Sequence, residues 1–287
     1  MCTISWSANK DGLAICFNRD ESITRPDAQA PRLHTAAGHS FLAPRDPVGG
    51  GTWLALRADG CALALLNHYS GLPPSSPKYS RGMIVWQLAA ASDPLTAWRK
   101  LIPSLDGIAP FHLLTLRRDK GRIDRWDGSD LSCKQADWPA GMLTTSSSPD
   151  IRGLPRRRHA FEALREKTAT PTSAELMRFH EGEDDCDAES SVWMDRGDRR
   201  TVSQSRIELG NTAARFSYRD APGGNARPQR GITPKSTSRR CDETTVATFS
   251  RPLPVAPVAT APPPPASHRD PCRSAWHQPC PPPRPSL

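Results

Sequence analysis

Cys2, the tetrad Asn18-Arg19-Asp20-Glu21 and Asn67 are the residues of this chain whose types, taken together, can do covalent chemistry. Removal of Met1, expected where a residue as small as cysteine follows, leaves a thiol and an α-amine on one carbon. Such an amine titrates near pH ~7.7 to 8.0 and a thiol near ~8.5, so the amine can take the thiol's proton at working pH. That makes a nucleophile with its own base, the logic of enzymes with an N-terminal threonine. Arg19 beside Cys2 would favour the thiolate, and Asp20 or Glu21 would hold the ammonium or orient a substrate amine. Asn67 could offer its amide to a developing oxyanion. Arg45-Asp46 could shape the rim of a pocket. The same residues also have plain roles as an inert thiol, a solvated strand end and a turn asparagine, and Trp53 and Trp86 read as core aromatics.

The first requirement is an element that brings Cys2 to the tetrad. Cys2 to Trp6 and Gly12 to Phe17 are β-rich runs separated by Asn9-Lys10-Asp11, a turn signal, so a hairpin opens the chain. A turn centred between Lys10 and Asp11 sets Cys2 directly opposite Arg19, and a shift to Asp11-Gly12 sets it opposite Glu21. Either register meets the tetrad. Alternation along a regular strand puts Arg19 and Asp20 on opposite faces, so both reach Cys2 only if the strand ends there. A second hairpin reads from Thr52 to Arg57 and Cys61 to Asn67 around Asp59-Gly60, which brings Thr52 near Asn67. Leu42 to Pro47 and Gly49-Gly50-Gly51 read as loop.

Helices are expected at Arg81 to Ala91, Pro94 to Leu101, Arg156 to Lys167 and Ser173 to His180. Further strands are expected at Phe111 to Leu116, Ile123 to Trp126, Ser191 to Met194, Thr201 to Leu209 and Ala213 to Tyr218. Hairpins, a helical middle and returning strands predict an α+β layer fold with antiparallel sheets.

The 287 residues carry 38 Lys+Arg against 30 Asp+Glu, but the excess is uneven. Residues 225–287 hold 15 of the 30 prolines, with 9 basic and 3 acidic residues, so they carry +6 of the net +8. The basic balance therefore belongs to the end of the chain and does not mark the rest as a nucleic-acid binder. One domain over residues 1–224 and a disordered, proline-rich tail over residues 225–287, with partners unknown, is the expected organisation. The longest apolar run, Cys61 to Leu66, is far short of the roughly 20 residues that span a bilayer. The N-terminus lacks the pattern of a secretory signal, so a cytoplasmic location is expected. The 8 cysteines contain no C-x-x-C pair and are expected to be thiols. His268, Cys272, His277 and Cys280 have loose metal-ligand spacing that chance explains better, and the acidic run from Glu181 to Glu189 lacks the pattern of a calcium loop. No metal is therefore expected, and no cofactor, since neither a G-x-G-x-x-G nor a P-loop is present.

Cys2-Thr3, Phe17 to Glu21 followed by Arg25, Leu42 to Asp46, Gly50 to Ala55 and Leu65-Leu66-Asn67 occur in the order and spacing of one family, and Ser80-Arg81-Gly82 and Phe111 to Leu114 continue the match. The chain resembles the NRDE family, which includes transport and Golgi organisation protein 2. That family resembles N-terminal-nucleophile hydrolases of the penicillin acylase and bile-salt hydrolase type, which implies a layered α-β-β-α fold. The resemblance implies an N-terminal-cysteine amidohydrolase acting on a non-peptide amide through an acyl-cysteine. Cys2, Arg19, Asp20 and Asn67 would be catalytic, and Asn18, Glu21, Arg45, Asp46 and Arg196 would bind substrate, with Arg199 a second candidate for a later arginine. The alternative is a haem or lipid carrier of the Golgi-organisation type, with Cys2, His39 or His68 as ligand. A third is a scaffold that recruits partners through its tail.

Overall fold

The computed structural model describes residues 2–69, 77–147, 153–182, 187–221 and 245–249. Its first half runs β1 (Cys2–Asn9), β2 (Gly12–Ser22), β3 (Gln29–Ala36), β4 (His39–Arg45), β5 (Leu54–Arg57), β6 (Ala62–Asn67), α1 (Gly82–Ala90) and α2 (Pro94–Leu101). There follow β7 (Phe111–Leu116), β8 (Gly121–Trp126), β9 (Leu131–Gln135), β10 (Ala140–Thr145), α3 (Gly153–Lys167), α4 (Ser173–Glu181), β11 (Arg199–Leu209), β12 (Ala214–Asp220) and β13 (Thr245–Phe249). The strands form two antiparallel sheets, ordered β10-β1-β2-β11-β12-β13 and β3-β4-β5-β6-β7-β8-β9.

Side-chain alternation explains why these sheets stack. Ile4, Trp6, Ile15 and Phe17 of the first sheet face Leu54, Leu56, Leu66 and Leu114 of the second, all within one buried cluster. Each large apolar side chain fully buried there contributes roughly 1.5–3 kcal/mol. The opposite face of the second sheet carries Phe41, Leu63 and Leu113 against Ile84, Leu88 and Trp98 of α1 and α2. Asp93 caps α2 by accepting from the Leu95 and Thr96 amides, and Pro94 starts it. A Thr172/Glu175 capping box starts α4. The result is four layers, helices outside and sheets inside. No helix among the described residues is long and apolar enough to cross a membrane.

The outer face of the first sheet differs from the other interfaces. Among the described residues, only Cys16, Phe161 and Leu176 form a buried apolar cluster there. Met142, Leu164, Met177 and Phe179 pack against it half-buried, and beside this small cluster the contact with α3 and α4 is polar. Arg157 donates to Thr3 Oγ1 at 3.0 Å and Thr144 Oγ1 at 3.2 Å, to the carbonyl of Ser190 at 3.2 Å, and to that of Ser191. Asn18 Nδ2 donates to the carbonyls of His180 and Val192, and Ser5 Oγ pairs with His180 Nε2 at 2.9 Å.

These contacts explain one departure from the sequence expectation. Ser191 to Met194 is not a strand, because the Ser191 and Val192 carbonyls accept from Arg157 and Asn18 instead of a ladder partner. Only Asp195 bridges to Arg200 nearby. Leu42 to Arg45, expected as loop, belongs to β4, which pairs with β5 only at Phe41 and Leu42. Pro44 therefore sits beyond that pairing, where its missing N–H costs no ladder bond to β5. Residues 245–249 depart from the expected structureless tail: this proline-free run pairs with β12, and Ala247 and Phe249 pack on the core. The His268, Cys272, His277 and Cys280 set lies outside the described residues.

Burial of His180, with Arg157 near it, lowers its pKa from the ordinary 6.5 to about 3, and burial lowers that of His112 to about 3 as well. Below about pH 6.5 the unfolded chain therefore binds protons that the folded chain refuses, so stability falls with pH through this window. His180→Gln, which keeps a hydrogen-bonding group for Ser5, should flatten the loss between pH 6.5 and 4.5 by up to about 1.4 kcal/mol per pH unit, measured by urea denaturation. Parallel wild-type and variant profiles would show that His180 does not carry that share.

Candidate active site

Cys2 begins β1 and lies directly opposite Arg19 of β2, with Thr145 of β10 on its other side. Being on the same strand face as Ile4 and Trp6, its thiol points between the sheets, but at the sheet end where the apolar core stops. There a cavity of about 150 Å³ opens, with Cys2, Asp20, Trp53, Asn67 and Arg81 among its lining residues. Trp53 serves the site as well as the core, because the Arg19 guanidinium lies 4.4 Å from its ring centroid. Glu21 Oε2 sits 3.6 Å from Arg19 and 3.7 Å from Arg25. Arg25 in turn donates to Asp46 Oδ2 at 2.5 Å. Asp46 is fixed by the glycine loop, whose Gly51 carbonyl accepts its amide at 2.9 Å.

The same loop delivers the wall opposite the tetrad. A Cβ on Gly51 would lie 2.2 Å from the Gly82 carbonyl carbon, so only glycine allows this approach. It brings the start of α1, and with it Arg81, to the cavity. Arg81 Nη1 donates to the Pro110 carbonyl at 2.9 Å. Asn67 ends β6, where its Nδ2 donates to Tyr69 Oη at 3.2 Å.

Arg19 and Asp20 both reach the site although β2 runs on to Ser22. Asp20 lies on the opposite face from Arg19 but one position past the end of β1, which begins at Cys2 opposite Arg19, and β11 shifts register there, between Thr201 and Ser203. Thr201 Oγ1 then donates to Asp20 Oδ1 at 2.8 Å, and Arg157 Nη1 lies 3.7 Å from Oδ2. That second distance is an ion pair but too long for a hydrogen bond. Asp20 Oδ2 is buried without a hydrogen-bond partner. Burial raises the Asp20 carboxyl above its ordinary 3.8, against the opposing influence of Arg157 and Thr201. Burial also raises the Cys2 thiol above 9.0. The Asp20 charge adds to that rise, while the Asp20 backbone hydrogen bond and Arg19 work against it. A thiol held up in this way needs an adjacent base to become a nucleophile at neutral pH.

Cys2, Arg19, Asp20, Glu21, Asp46 and Asn67 thus converge on one cavity, whereas three expected contacts do not. Asn18 points to the helix side, where Gln204 Nε2 also donates to its Oδ1 at 3.2 Å, so it ties layers together. Arg45 stacks 5.3 Å from the Trp86 centroid on the α1 face of the second sheet. Arg196 donates to the Glu189 carbonyl at 2.8 Å in an exposed loop, and Arg199 pairs with Asp198. The arginines that line the cavity besides Arg19 are Arg25 and Arg81, both within sequence motifs already quoted but given no role there. Arg157 had no signal at all, since Arg156-Arg157-Arg158 reads as a solvated helix face.

The sequence model of a family described as Transport and Golgi organisation 2 matches residues 1–179. No curated protein matches the sequence. Among solved structures, an orthologue of N-acylethanolamine-hydrolyzing acid amidase from Caenorhabditis elegans superposes with a TM-score of 0.50 at 12% identity, over 72% of this chain and 92% of that one. Penicillin V acylase from Agrobacterium tumefaciens gives 0.46 at 11% identity, over 78% and 84%. Conjugated bile acid hydrolase from Clostridium perfringens gives 0.43 at 13%, over 91% and 100%. The likeness is one of fold, the layered architecture of N-terminal-nucleophile hydrolases.

Arg157→Met removes the donor to four oxygens and the partner of a buried carboxylate. It should cost about 3–5 kcal/mol by chemical denaturation. Arg25→Met, at a half-exposed pair, should cost about 1 kcal/mol or less. Equal losses would contradict the assignment of Arg157 as the link between α3 and the site.

Proposed function

Since this chain belongs to the Transport and Golgi organisation 2 family, we propose that within it the protein is an amidohydrolase that cleaves a small non-peptide amide through an acyl-cysteine on Cys2. One observation carries this reading: Cys2 opens into a polar cavity directly opposite Arg19, next to an Asp20 carboxylate oxygen that is buried with no hydrogen-bond partner. The mechanism requires cleavage of the peptide bond before Cys2, by loss of Met1 or of a longer leader.

The freed α-amine then takes the thiol proton, and the thiolate attacks the amide carbonyl. Arg19, opposite Cys2, favours the thiolate electrostatically. Asn67 has a second amide N–H beyond the one given to Tyr69, and this N–H supports the oxyanion. As the C–N bond breaks, the ammonium returns its proton to the leaving amine, and Asp20 Oδ2 holds the ammonium while it exists. Water, deprotonated by the same amine, then attacks the thioester and releases the acid with Cys2 restored. A haem or lipid carrier calls for a larger apolar pocket, since ligand sites of that kind measure roughly 300–1,000 Å³. Neither His39 nor His68 lines this cavity.

Protein with Cys2 at its N-terminus, incubated with a panel of N-acyl compounds, should gain an acyl mass on Cys2, and turnover should fall roughly 10⁴-fold or more in Cys2→Ala. Absence of any adduct or hydrolysis, together with saturable haem binding, would replace this reading by the carrier.

A further inference from the structure

The cavity carries an arginine that the proposed mechanism does not use. Arg25 is matched by Asp46 and Glu21, and Arg19 by Glu21 and the face of Trp53. Asp20 is matched by Arg157 from outside the cavity. Among the described residues, the Arg81 side chain makes one hydrogen bond, to the Pro110 carbonyl, and no ion pair. It is nonetheless half-buried, and that burial lowers its pKa below the ordinary guanidinium value even though Tyr69, the Cys2 thiol and Glu21 oppose the effect. A guanidinium taken partly out of water without a counterion is a cost that the fold alone does not explain. The first turn of α1, which follows Arg81, contains no acidic residue that could offset it.

Space limits what can supply the missing charge. A cavity of about 150 Å³ is comparable to one that holds a benzene ring and lies below the range of drug-sized sites. A long acyl chain or a steroid therefore does not fit between Cys2 and Arg81. The guanidinium fork suits a carboxylate, which it can bind through two parallel N–H donors.

We propose that the substrate of Cys2 is a short amide bearing a carboxylate a few atoms from the scissile carbonyl, and that Arg81 is the residue that binds this carboxylate. This rests on the acyl-cysteine reading and narrows it. The carboxylate is carried either by the acyl group, as in a glutaryl amide, or by the leaving amine, as in an N-acyl glycine. Both present the same anion to Arg81.

The binding claim can be tested without amide turnover, by alkylating Cys2 of the full chain. In each case Sγ–C forms as C–I breaks and iodide leaves, but iodoacetate brings a carboxylate and iodoacetamide does not. Native protein should favour iodoacetate over iodoacetamide by roughly tenfold relative to a free cysteine peptide. Arg81→Met should abolish the preference, Arg81→Lys should keep part of it, and Arg45→Met, on the far face of the second sheet, should leave it intact. Glutarate should protect Cys2 of the unmutated chain from iodoacetamide where butyramide does not, a comparison that holds even if Arg81→Met fails to fold. With turnover, glutaryl anilide against pentanoyl anilide, and butyryl glycine against butyryl ethylamide, then locate the carboxylate on one side of the amide. A ratio like that of the peptide and unmoved by Arg81→Met, with Cys2 still reactive, overturns the Arg81 anchor and leaves the amidase reading standing. Cys2 inert to both reagents overturns both.

Discussion

Pairing of Cys2 with Arg19 across the first hairpin determines which side of the sheet each reactive group occupies. Because side chains alternate, the thiol and the guanidinium must share the face that elsewhere carries Ile4, Trp6 and Phe17. Asp20 must then take the other face, among Thr201 and Arg157. The backbone nitrogen of Cys2 lies in the plane between the two faces, at the end of a strand. A single hairpin register thus separates the thiol from the carboxylate while leaving both close to the backbone nitrogen of Cys2. Shifting that register by one residue would turn the thiol toward the helices and Trp6 out of the core.

The polar interface beneath the first sheet follows from the same constraint. A carboxylate on the helix side needs a counter-charge, and Arg157 supplies it from α3 while satisfying the hydroxyls of Thr3 and Thr144. Burying such a pair gives little net stability, because desolvation offsets most of the attraction. What it provides is position. The irregular segment around Ser191 and Val192 gives its carbonyls to Arg157 and Asn18, so the second half of the chain is registered against the strand that carries the tetrad. Asn18, conspicuous in the sequence beside the reactive residues, thereby acts in assembly of the layers.

Much of this was legible in the sequence where the information is local. The Asn9-Lys10-Asp11 turn sets the pairing of Cys2 with Arg19, and Pro94 marks the first residue of α2. The fold class followed from the same signals and from the resemblance carried by Cys2 and the tetrad. What could not be read depends on faces and distant partners. Asn18 and Arg45 carry the residue types of a site, but each lies on the face of its sheet turned away from the cavity. The partners that hold the Asp20 carboxylate, Thr201 and Arg157, are contributed by residues far away in sequence. Arg81 reaches the cavity only because Gly51 lets a loop pass close under the start of α1. β13 was hidden by the proline-rich composition around it, which averages over a five-residue run able to pair.

The central claim is that an α-amine on Cys2 converts a thiol raised by burial into a nucleophile. The direct measurement is the pH dependence of Cys2 alkylation by iodoacetamide, compared between protein with Cys2 at its N-terminus and protein in which Met1 is retained. Burial raises the thiol above 9.0. The account predicts an inflection below the ordinary thiol value of about 8.5 for the first protein and a later one for the second. Coincident profiles, with both thiols ionising above 9.0, would contradict it.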